Sequence, residues 1–244
     1  MNIKFDFNEH VIFIAGAGSG IGLACVHACL KAGAQVIATD INLRNLSELQ
    51  SERLSVAELD VTDSKAVMHV LTDQAKQYGR IDAAILASGF QNRVLIDQMS
   101  DQEWGSQVNI NLNGIFYLTR TLFPIMKAQK KGSIVTFTSG LATNGWPGAA
   151  AYGAAKAGII GLVKSAAQEL KPFGVCINAV SPGITRTPLF LDSASAEEIS
   201  MYEKSLGISP PEGVVPLLLF LISDAAGTIS GNVIERRLIP QASE

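Results

Sequence analysis

Short apolar segments alternate with longer stretches of helical periodicity along most of the chain. The apolar segments predict strands at residues 11–15, 35–40, 55–60, 82–87, 133–138 and 175–181, with a weaker strand at 232–234. The longer stretches predict helices at residues 20–32, 64–78, 101–130, 150–173 and 211–223, and we expect the third to be interrupted. Strands that are apolar on both sides are covered on both sides. The pattern therefore predicts an α/β fold, a doubly wound parallel sheet of about seven strands with helices on both faces.

Local signals mark where several of these helices begin and end. Gly33, Gly79 and Gly174 each follow a helical stretch, and glycine readily adopts the left-handed conformation that ends a helix. Ser100 and Glu103 have the spacing of a capping box, in which each residue satisfies the other's backbone N–H group. We therefore expect a helix to begin at Ser100.

No linker, repeat or low-complexity tract divides the sequence, so we expect residues 1–244 to form a single domain. Apolar residues make up 48% of the 244 residues and charged residues 17%, a composition that can bury a core and excludes a disordered chain. The least regular segment, residues 187–209, is either a mobile flap over a binding site or a surface excursion.

Charge and cysteine content exclude several function classes. With 19 Lys and Arg against 22 Asp and Glu, the net charge of −3 offers no basic surface to nucleic acid or to a membrane. The apolar stretch at 214–222 is far shorter than the roughly 20 residues that cross a bilayer. Cys25, Cys29 and Cys176 are too few for a disulfide framework, and Cys25 and Cys29 fit buried positions better than a metal site. Since a signal peptide is also missing from the N-terminus, we expect a cytoplasmic protein without a metal.

A glycine-rich turn follows the first predicted strand and opens the first predicted helix. Its glycines are spaced GxxxGxG. Glycine permits a tight turn and a close backbone approach, and a helix N-terminus offers free N–H groups to a pyrophosphate. We therefore predict that this turn binds a dinucleotide. The residues that it contributes are Gly16, Gly18, Ser19, Gly20, Ile21 and Gly22.

Two acidic residues end the next two predicted strands. Asp40 lies 24 residues after Gly16, where an acid accepts hydrogen bonds from the adenosine ribose and repels a 2′-phosphate. Neither Ile41 nor Asn42 offers a 2′-phosphate a cation, so NAD is favoured over NADP; the alternative is that Asp40 is only a loop acid or a helix cap. Asp60 either reaches the adenine or caps the following helix.

A tyrosine and a lysine begin the alanine-rich helix predicted at 150–173. Residues four apart share a helix face, so the Tyr152 phenol and the Lys156 ammonium can reach one pocket. A free tyrosine has a pKa near 10, and a neighbouring cation stabilises the phenolate and lowers that pKa. Tyr152 is therefore a candidate for transferring a proton to or from an alcohol or carbonyl oxygen.

In combination, these features resemble the short-chain dehydrogenase/reductase family. The resemblance covers about residues 9–233 and rests on the glycine turn, Ser139, the Tyr152-x-x-x-Lys156 motif, and the Pro-Gly pair at 182–183 with a following threonine. It implies a Rossmann fold, a nicotinamide cofactor and a catalytic tetrad of asparagine, serine, tyrosine and lysine.

The resemblance also implies a role for each member of the tetrad. Tyr152 would be the general acid in reduction and the base in oxidation. Lys156 would lower the Tyr152 pKa and bind the nicotinamide ribose, and Ser139 would polarise the substrate oxygen. Asn111 fits the family spacing for the fourth member, which would hold a water linked to Lys156. Its neighbours Asn113 and Asn109 are the alternatives.

Further cofactor contacts are carried over from the family by position. They are Asp60, Val61, Ala87, Ser88, Gly89, Pro182, Gly183, Ile184, Thr185 and Thr187. Three departures from the family pattern stand out. Leu86-Ala87-Ser88-Gly89 replaces the usual Asn-Asn-Ala-Gly, Ala15 replaces a threonine before the glycine turn, and a Glu-Arg-Arg-Leu segment at 235–238 replaces the usual acidic-Gly-Gly tail.

The residues expected around the substrate are mainly apolar, which favours a small-molecule substrate, a hydrophobic or ring-bearing ketone or secondary alcohol. They are Phe90, Leu141, Trp146, Leu189 and Phe190, with Gln91, Met201 and Tyr202 as further candidates. Arg93 and Arg186 are the possible partners of a substrate carboxylate. Family members usually assemble through their long helices, so we expect a homotetramer or homodimer formed through residues 112–130 and 150–170.

Three functions are compatible with the sequence. The favoured function is an NAD(H)-dependent alcohol dehydrogenase or ketoreductase. The second is an NADPH-dependent 3-oxoacyl thioester reductase, against which Asp40 argues. The third, of another class, is a cofactor-binding regulatory protein without turnover, which the altered segment at 86–89 suggests.

Overall fold

Seven parallel strands form one sheet in the computed structural model, which describes residues 4–238. The strands are β1 Val11–Ala15, β2 Gln35–Asp40, β3 Leu54–Glu58, β4 Ala83–Leu86, β5 Gly132–Phe137, β6 Val175–Ser181 and β7 Val233–Glu235. Their order across the sheet is β3-β2-β1-β4-β5-β6-β7, with every neighbouring pair parallel. The predicted fold class is confirmed. The expectation of a single domain stays a prediction, and its ends, residues 1–3 and 239–244, lie outside the described residues.

Helices connect the strands and cover both faces of the sheet. They are α1 Gly20–Lys31, α2 Arg44–Ser47, α3 Ser64–Tyr78, α4 Asp101–Val108, α5 Gly114–Gln129, α6 Leu141–Asn144, α7 Ala150–Leu170, α8 Pro188–Ser193, α9 Ala196–Ser205 and α10 Val215–Ile222. A π-helical turn, Asn109–Asn113, joins α4 to α5. Over residues 4–238, none of these helices combines the length and the apolar character needed to span a bilayer.

The alternation of side chains along β1 divides the core into two layers. Ile12 and Ile14 point to the layer covered by α1 and α10, whereas Val11 and Phe13 point to the layer covered by α3, α5 and α7. Each strand of the sheet's centre is therefore apolar on both sides, as the sequence pattern predicts. Cys29 lies in the first layer, where burial raises the pKa of its thiol to about 12.

The chain reverses its direction of travel across the sheet at β1. The strands β2 and β3 extend the sheet on one side of β1, and β4 to β7 extend it on the other. In such a sheet a crevice opens at the carboxyl ends of the strands on either side of the reversal, because the connecting segments diverge there. The segments that follow β1 and β4 thus meet at the place where a ligand is expected.

Several boundaries follow the sequence predictions. The left-handed Gly79 ends α3, and a complete capping box of Ser100 and Glu103 begins α4. The helix predicted at 101–130 is interrupted, as expected, by the π turn. The segment 187–209 differs from the expectation of little regular structure, because α8 and α9 occupy most of it. Its mobility stays a prediction.

Candidate active site

A cleft of about 870 Å³ opens at the carboxyl edge of the sheet. Almost every residue that the sequence predicts for the cofactor and the reaction lines it. These are Gly16, Ser19, Gly20, Ile21, Gly22, Asp40, Asp60, Val61, Ala87, Ser88, Gly89, Ser139, Tyr152, Lys156, Pro182, Gly183, Ile184, Thr185 and Thr187. Two predicted residues, Gly18 and Asn111, do not line the cleft and lie behind its wall.

The glycine turn is a cradle in which added side chains would overlap backbone atoms. A Cβ atom on Gly22 would overlap the Gly16 carbonyl, and one on Gly16 would overlap the backbone of Ser88. Gly20 has a φ of +51°, and its Cβ would lie 2.9 Å from Thr187. Helix α1 begins at this turn with no acidic residue in its first turn and no side-chain cap from Ser19. Its free N–H groups therefore fit the pyrophosphate of a dinucleotide.

The Asp40 carboxylate binds neighbouring loop segments, as the loop-acid alternative expects, and its contact with an adenosine ribose stays a prediction. One carboxylate oxygen accepts a hydrogen bond from the Gly18 N–H at 2.8 Å, and the other accepts one from the Asn42 N–H at 2.9 Å. The Asn45 amide donates to the Gly18 carbonyl at 2.8 Å. The acid at the end of β2 thus fixes the glycine turn while it also faces the cleft, and Gly18 contributes through this hydrogen bond.

Asp60 follows β3 and is exposed at the cleft. Its carboxylate accepts hydrogen bonds from the Thr62 N–H at 2.8 Å and from the Thr62 hydroxyl at 2.7 Å. The cap of α3 is instead Asp63, which accepts from the N–H groups of Lys65 and Ala66. The helix-cap alternative for Asp60 is therefore wrong, and contact with an adenine stays a prediction.

Tyr152 and Lys156 lie one turn apart on α7 and face the cleft together. The Lys156 nitrogen is 5.6 Å from the centre of the Tyr152 ring and donates a hydrogen bond to the Phe137 carbonyl at 3.1 Å. Ser139 follows the end of β5, where its hydroxyl accepts a hydrogen bond from the Leu141 N–H at 3.2 Å, and it lines the same cleft as Tyr152. The structure thus brings together the three side chains whose roles the family resemblance implies.

Burial controls the proton affinities of this pair. Loss of hydration raises the pKa of Tyr152 to about 12, although the neighbouring Ser139 side chain opposes the increase. Loss of hydration also lowers the pKa of Lys156 to about 8. The sequence argument expects a lowered tyrosine pKa because it considers only the neighbouring cation, whereas desolvation is the larger effect in the structure.

Asn111 lies in the π turn and is buried, whereas Asn109 and Asn113 bind each other at the surface. The Asn111 side chain accepts a hydrogen bond from the Phe90 N–H at 3.1 Å and donates to the Phe90 carbonyl at 2.6 Å. Of the three asparagines, Asn111 is therefore the one that the fold brings to the cleft wall. Its predicted contact with a water stays a prediction.

Gln107 is a further buried amide that the sequence analysis did not identify. It accepts a hydrogen bond from the Asn92 N–H at 3.3 Å and donates to the Asn92 carbonyl at 2.9 Å. Gln107 and Asn111 are four residues apart and hold Asn92 and Phe90, which are two apart. The spacing of the two amides is the signal in the sequence, but it does not show which segment they bind.

Aromatic and aliphatic side chains form the substrate side of the cleft. The predicted residues that line it are Phe90, Gln91, Leu141, Trp146, Leu189, Phe190 and Tyr202. Tyr202 lies 6.1 Å from the Phe190 ring and 6.2 Å from the Trp146 ring, as measured between ring centres. The candidate Met201 does not line the cleft. Arg93 does and Arg186 does not, so only one of the two possible carboxylate partners is suitably placed.

The arrangement is suited to moving a proton at a carbonyl or alcohol oxygen. A buried phenol, a hydroxyl and an ammonium line one cleft, and the glycine cradle lines the same cleft. No cluster of three or more metal-ligating side chains occurs in the part of the chain that the structure describes.

Comparisons with known proteins agree with this geometry. A family model described as short chain dehydrogenase matches residues 10–198. The 3-oxoacyl-(acyl-carrier-protein) reductase FabG of Thermotoga maritima is 36% identical over 92% of this chain and 94% of its own length. The crystal structure of gox2181 superimposes with a TM-score of 0.87 and 32% identity over 95% of each chain. That of levodione reductase has a TM-score of 0.85 and 25% identity over 95% of this chain and 97% of its own.

The glycine cradle generates the first prediction. Replacing Gly22 by alanine should weaken NADH binding at least about tenfold, because the new methyl group displaces the backbone that faces the pyrophosphate. Isothermal titration calorimetry measures the change. Gly105→Ala is the matched control, since an added Cβ there meets no atom within 4 Å. Wild-type affinity in Gly22→Ala would show that the turn does not hold the dinucleotide.

The buried ammonium generates the second prediction. The Lys156 pKa falls from 10.5 to about 8 on folding, so between these values the unfolded chain holds more protons than the folded one. The free energy of unfolding should therefore rise with pH in this window, by up to roughly 1.4 kcal/mol per pH unit. Urea denaturation between pH about 8 and about 9.5, compared with Lys156→Met, isolates this contribution. Equal slopes in the two proteins would contradict the assignment.

Proposed function

We propose that the chain, which belongs to the short-chain dehydrogenase/reductase family and is an oxidoreductase dependent on a nicotinamide dinucleotide, uses NAD(H) to interconvert an apolar or ring-bearing secondary alcohol and its ketone. The observation that carries this proposal is the convergence of Ser139, Tyr152 and Lys156 in one cleft with the glycine cradle. Family membership argues against the alternative of a regulatory protein without turnover.

The bound dinucleotide supplies a hydride donor or acceptor, and the residues of this chain handle the oxygen and its proton. Ser139 binds the substrate oxygen. Tyr152 donates its proton to the oxygen during reduction and removes the proton during oxidation. Because burial raises the Tyr152 pKa to about 12, the phenol is protonated at neutral pH and ready to act as the acid.

Lys156 supplies the positive charge that a tyrosinate requires. Its ammonium is fixed by the Phe137 carbonyl and lies close to the ring that becomes negative. Asn111 lies near Lys156, since a Cβ built on Gly89 would be 3.3 Å from the Asn111 side-chain oxygen and 3.9 Å from the Lys156 nitrogen. This proximity supports the proposed role of Asn111, which is to hold a water linked to Lys156 that would return a proton to Tyr152.

The cofactor preference rests on Asp40. Its carboxylate faces the cleft beside the glycine turn, where the ribose of the adenosine would lie. A carboxylate accepts hydrogen bonds from the two ribose hydroxyls but repels a 2′-phosphate. We therefore expect NAD(H) to bind more tightly than NADP(H).

A second function is kept because of the relatives. The Thermotoga maritima protein, at 36% identity, is named as a 3-oxoacyl-(acyl-carrier-protein) reductase. That resemblance favours a 3-oxoacyl thioester as an alternative substrate. Turnover of a 3-oxoacyl thioester with NADPH, and a failure to reduce simple ketones with NADH, would replace the first proposal with this one.

Exposed apolar and small side chains on α4, α5 and α7 support the proposed homotetramer or homodimer. Trp104 on α4 and Phe116 on α5 are 45% and 40% exposed, and small residues such as Ala157 and Gly161 are exposed on α7. Large apolar side chains on neighbouring helices favour contact with a second copy of the chain. The three free, buried cysteines accord with the proposed reducing, cytoplasmic location.

The helix face yields a test of assembly. The double variant Trp104→Glu and Phe116→Glu should sediment as a monomer, because two carboxylates would have to be buried in the contact. Sedimentation velocity compares it with the wild type and with Met68→Glu, a charge added at an exposed apolar position on α3. An unchanged oligomer in the double variant would place the contact elsewhere.

The proton donor yields the most direct test of activity. Tyr152→Phe should lower kcat at least about a hundredfold while NADH affinity stays near the wild-type value, since only the hydroxyl is lost. Consumption of NADH with a panel of aryl and aliphatic ketones measures the loss. Tyr117→Phe, outside the residues that line the cleft, controls for a general effect of tyrosine removal. Substantial turnover by Tyr152→Phe would refute the proposed acid.

The cofactor preference is tested by removing one charge. Asp40→Asn keeps an oxygen for the Gly18 N–H group but no longer repels a 2′-phosphate, so the ratio of NADPH to NADH affinity should rise about tenfold or more. Fluorescence titration with both cofactors gives the ratio. Asp63→Asn, at the N-cap of α3, is the control. A wild-type preference for NADPH would overturn the assignment.

A further inference from the structure

An ion pair joins the segment that follows β4 to helix α9. One terminal nitrogen of Arg93 lies 2.6 Å and 2.5 Å from the two carboxylate oxygens of Glu198. The two side chains are only 17% and 21% exposed, compared with 48% and 49% for the pair that Glu203, also on α9, forms with Arg186. The Arg93–Glu198 pair is thus shielded from water, where an ionic interaction is strong.

Glu198 is held from three directions. Besides Arg93, the Trp146 indole donates a hydrogen bond to it at 2.8 Å, and the Ser195 N–H donates one at 2.9 Å as part of the capping box of α9. Burial alone would raise the pKa of Glu198, but these hydrogen bonds outweigh it and leave the pKa lowered. The carboxylate is therefore negative at neutral pH and fixed in position.

Arg93 lies between this carboxylate and the cleft. It lines the cleft, whereas Glu198 is not among the lining residues. The Arg93 Nε and the neighbouring Gln91 amide nitrogen are buried without a hydrogen-bond partner among residues 4–238. The guanidinium therefore keeps one donor, Nε, that the surrounding described residues do not use, while the Glu198 carboxylate balances its charge.

The backbone that carries Arg93 is held on both sides. Asn111 and Gln107 bind the N–H and carbonyl groups of Phe90 and Asn92, and the Val94 N–H donates to the Gly148 carbonyl at 3.0 Å. These contacts fix the backbone on either side of Arg93, and the Glu198 carboxylate holds the guanidinium itself.

We propose that Glu198 is a positioning residue that neutralises Arg93 and so makes the substrate pocket select uncharged ketones over ketones that carry a carboxylate. This inference rests on the proposed function and specifies its substrate class. A substrate carboxylate at Arg93 would compete with Glu198 for the same guanidinium, and the Glu198 carboxylate would repel it. The aromatic rings of Trp146, Phe190 and Tyr202 nearby suit an uncharged ring.

Two variants shift this balance in opposite directions. Glu198→Gln preserves the size of the side chain, the cap of α9 and an acceptor for Trp146, but it leaves the charge of Arg93 unbalanced. Arg93→Gln leaves the charge of Glu198 unbalanced. The readout is the ratio of kcat/KM for 4-acetylbenzoate to kcat/KM for the uncharged 4-methylacetophenone.

This ratio should rise at least about tenfold in Glu198→Gln, because the substrate carboxylate gains a charge-assisted hydrogen bond with Arg93. It should fall in Arg93→Gln, because the unpaired Glu198 repels the substrate carboxylate. Glu203→Gln is the matched control, because it removes the exposed ion pair that α9 forms with Arg186. It should leave the ratio unchanged. If the Arg93–Glu198 pair only holds α9 in place, its loss would change kcat/KM for both ketones by the same factor. That result would overturn the proposal.

Benzoate binding provides a readout that does not require turnover. Calorimetric titration of the NADH-saturated proteins with benzoate should show at least about tenfold tighter binding to Glu198→Gln than to the wild type. Equal affinity in the two proteins would overturn the inference. If the wild type reduces no ketone, the proposed function fails, and the benzoate affinities still decide whether Glu198 controls the charge at Arg93.

Discussion

The ammonium of Lys156 is buried, and its hydrogen bond to the Phe137 carbonyl ties α7 to the end of β5. A second bond, from the Thr138 hydroxyl to the Lys156 carbonyl at 2.8 Å, fixes the same contact. Tyr152 is one turn away on α7 and therefore has a fixed position above the strand end that carries Ser139. A buried cation is costly, and the Phe137 carbonyl offsets only part of that cost, since burial lowers the pKa of Lys156 to about 8.

Much of the fold and the reacting part of the site follow from local sequence. The strands alternate between two apolar layers, and residues four apart on a helix must share a face, so the Tyr152–Lys156 pair is visible without a structure. The glycine turn is recognisable in the sequence because other residues do not fit there. Gly16 and Gly20 have positive φ, and a Cβ on Gly16 or Gly22 would overlap backbone atoms. The sequence predictions fail first where burial matters, since no residue spacing shows that desolvation raises the Tyr152 pKa.

Features that depend on distant segments were not predictable in the same way. Gln107 gives no sign in the sequence that it holds Asn92, and Glu198 gives none that it meets Arg93, which is 105 residues away. The helix α9 is different, because Ser195 and Glu198 have capping-box spacing that indicates a helix start. Glu198 therefore helps to begin α9 through a local capping box that the sequence reveals. Its ion pair with Arg93 at the cleft wall depends on the tertiary structure.

The central claim, that Tyr152, Ser139 and Lys156 act on a substrate oxygen beside a dinucleotide, is tested most directly by a crystal structure with NADH and an unreactive ketone analogue. The account predicts an analogue oxygen within about 3 Å of both the Tyr152 and Ser139 hydroxyls, with the pyrophosphate at the glycine turn. An analogue bound away from Tyr152, or a dinucleotide outside the turn at residues 16–22, would contradict it.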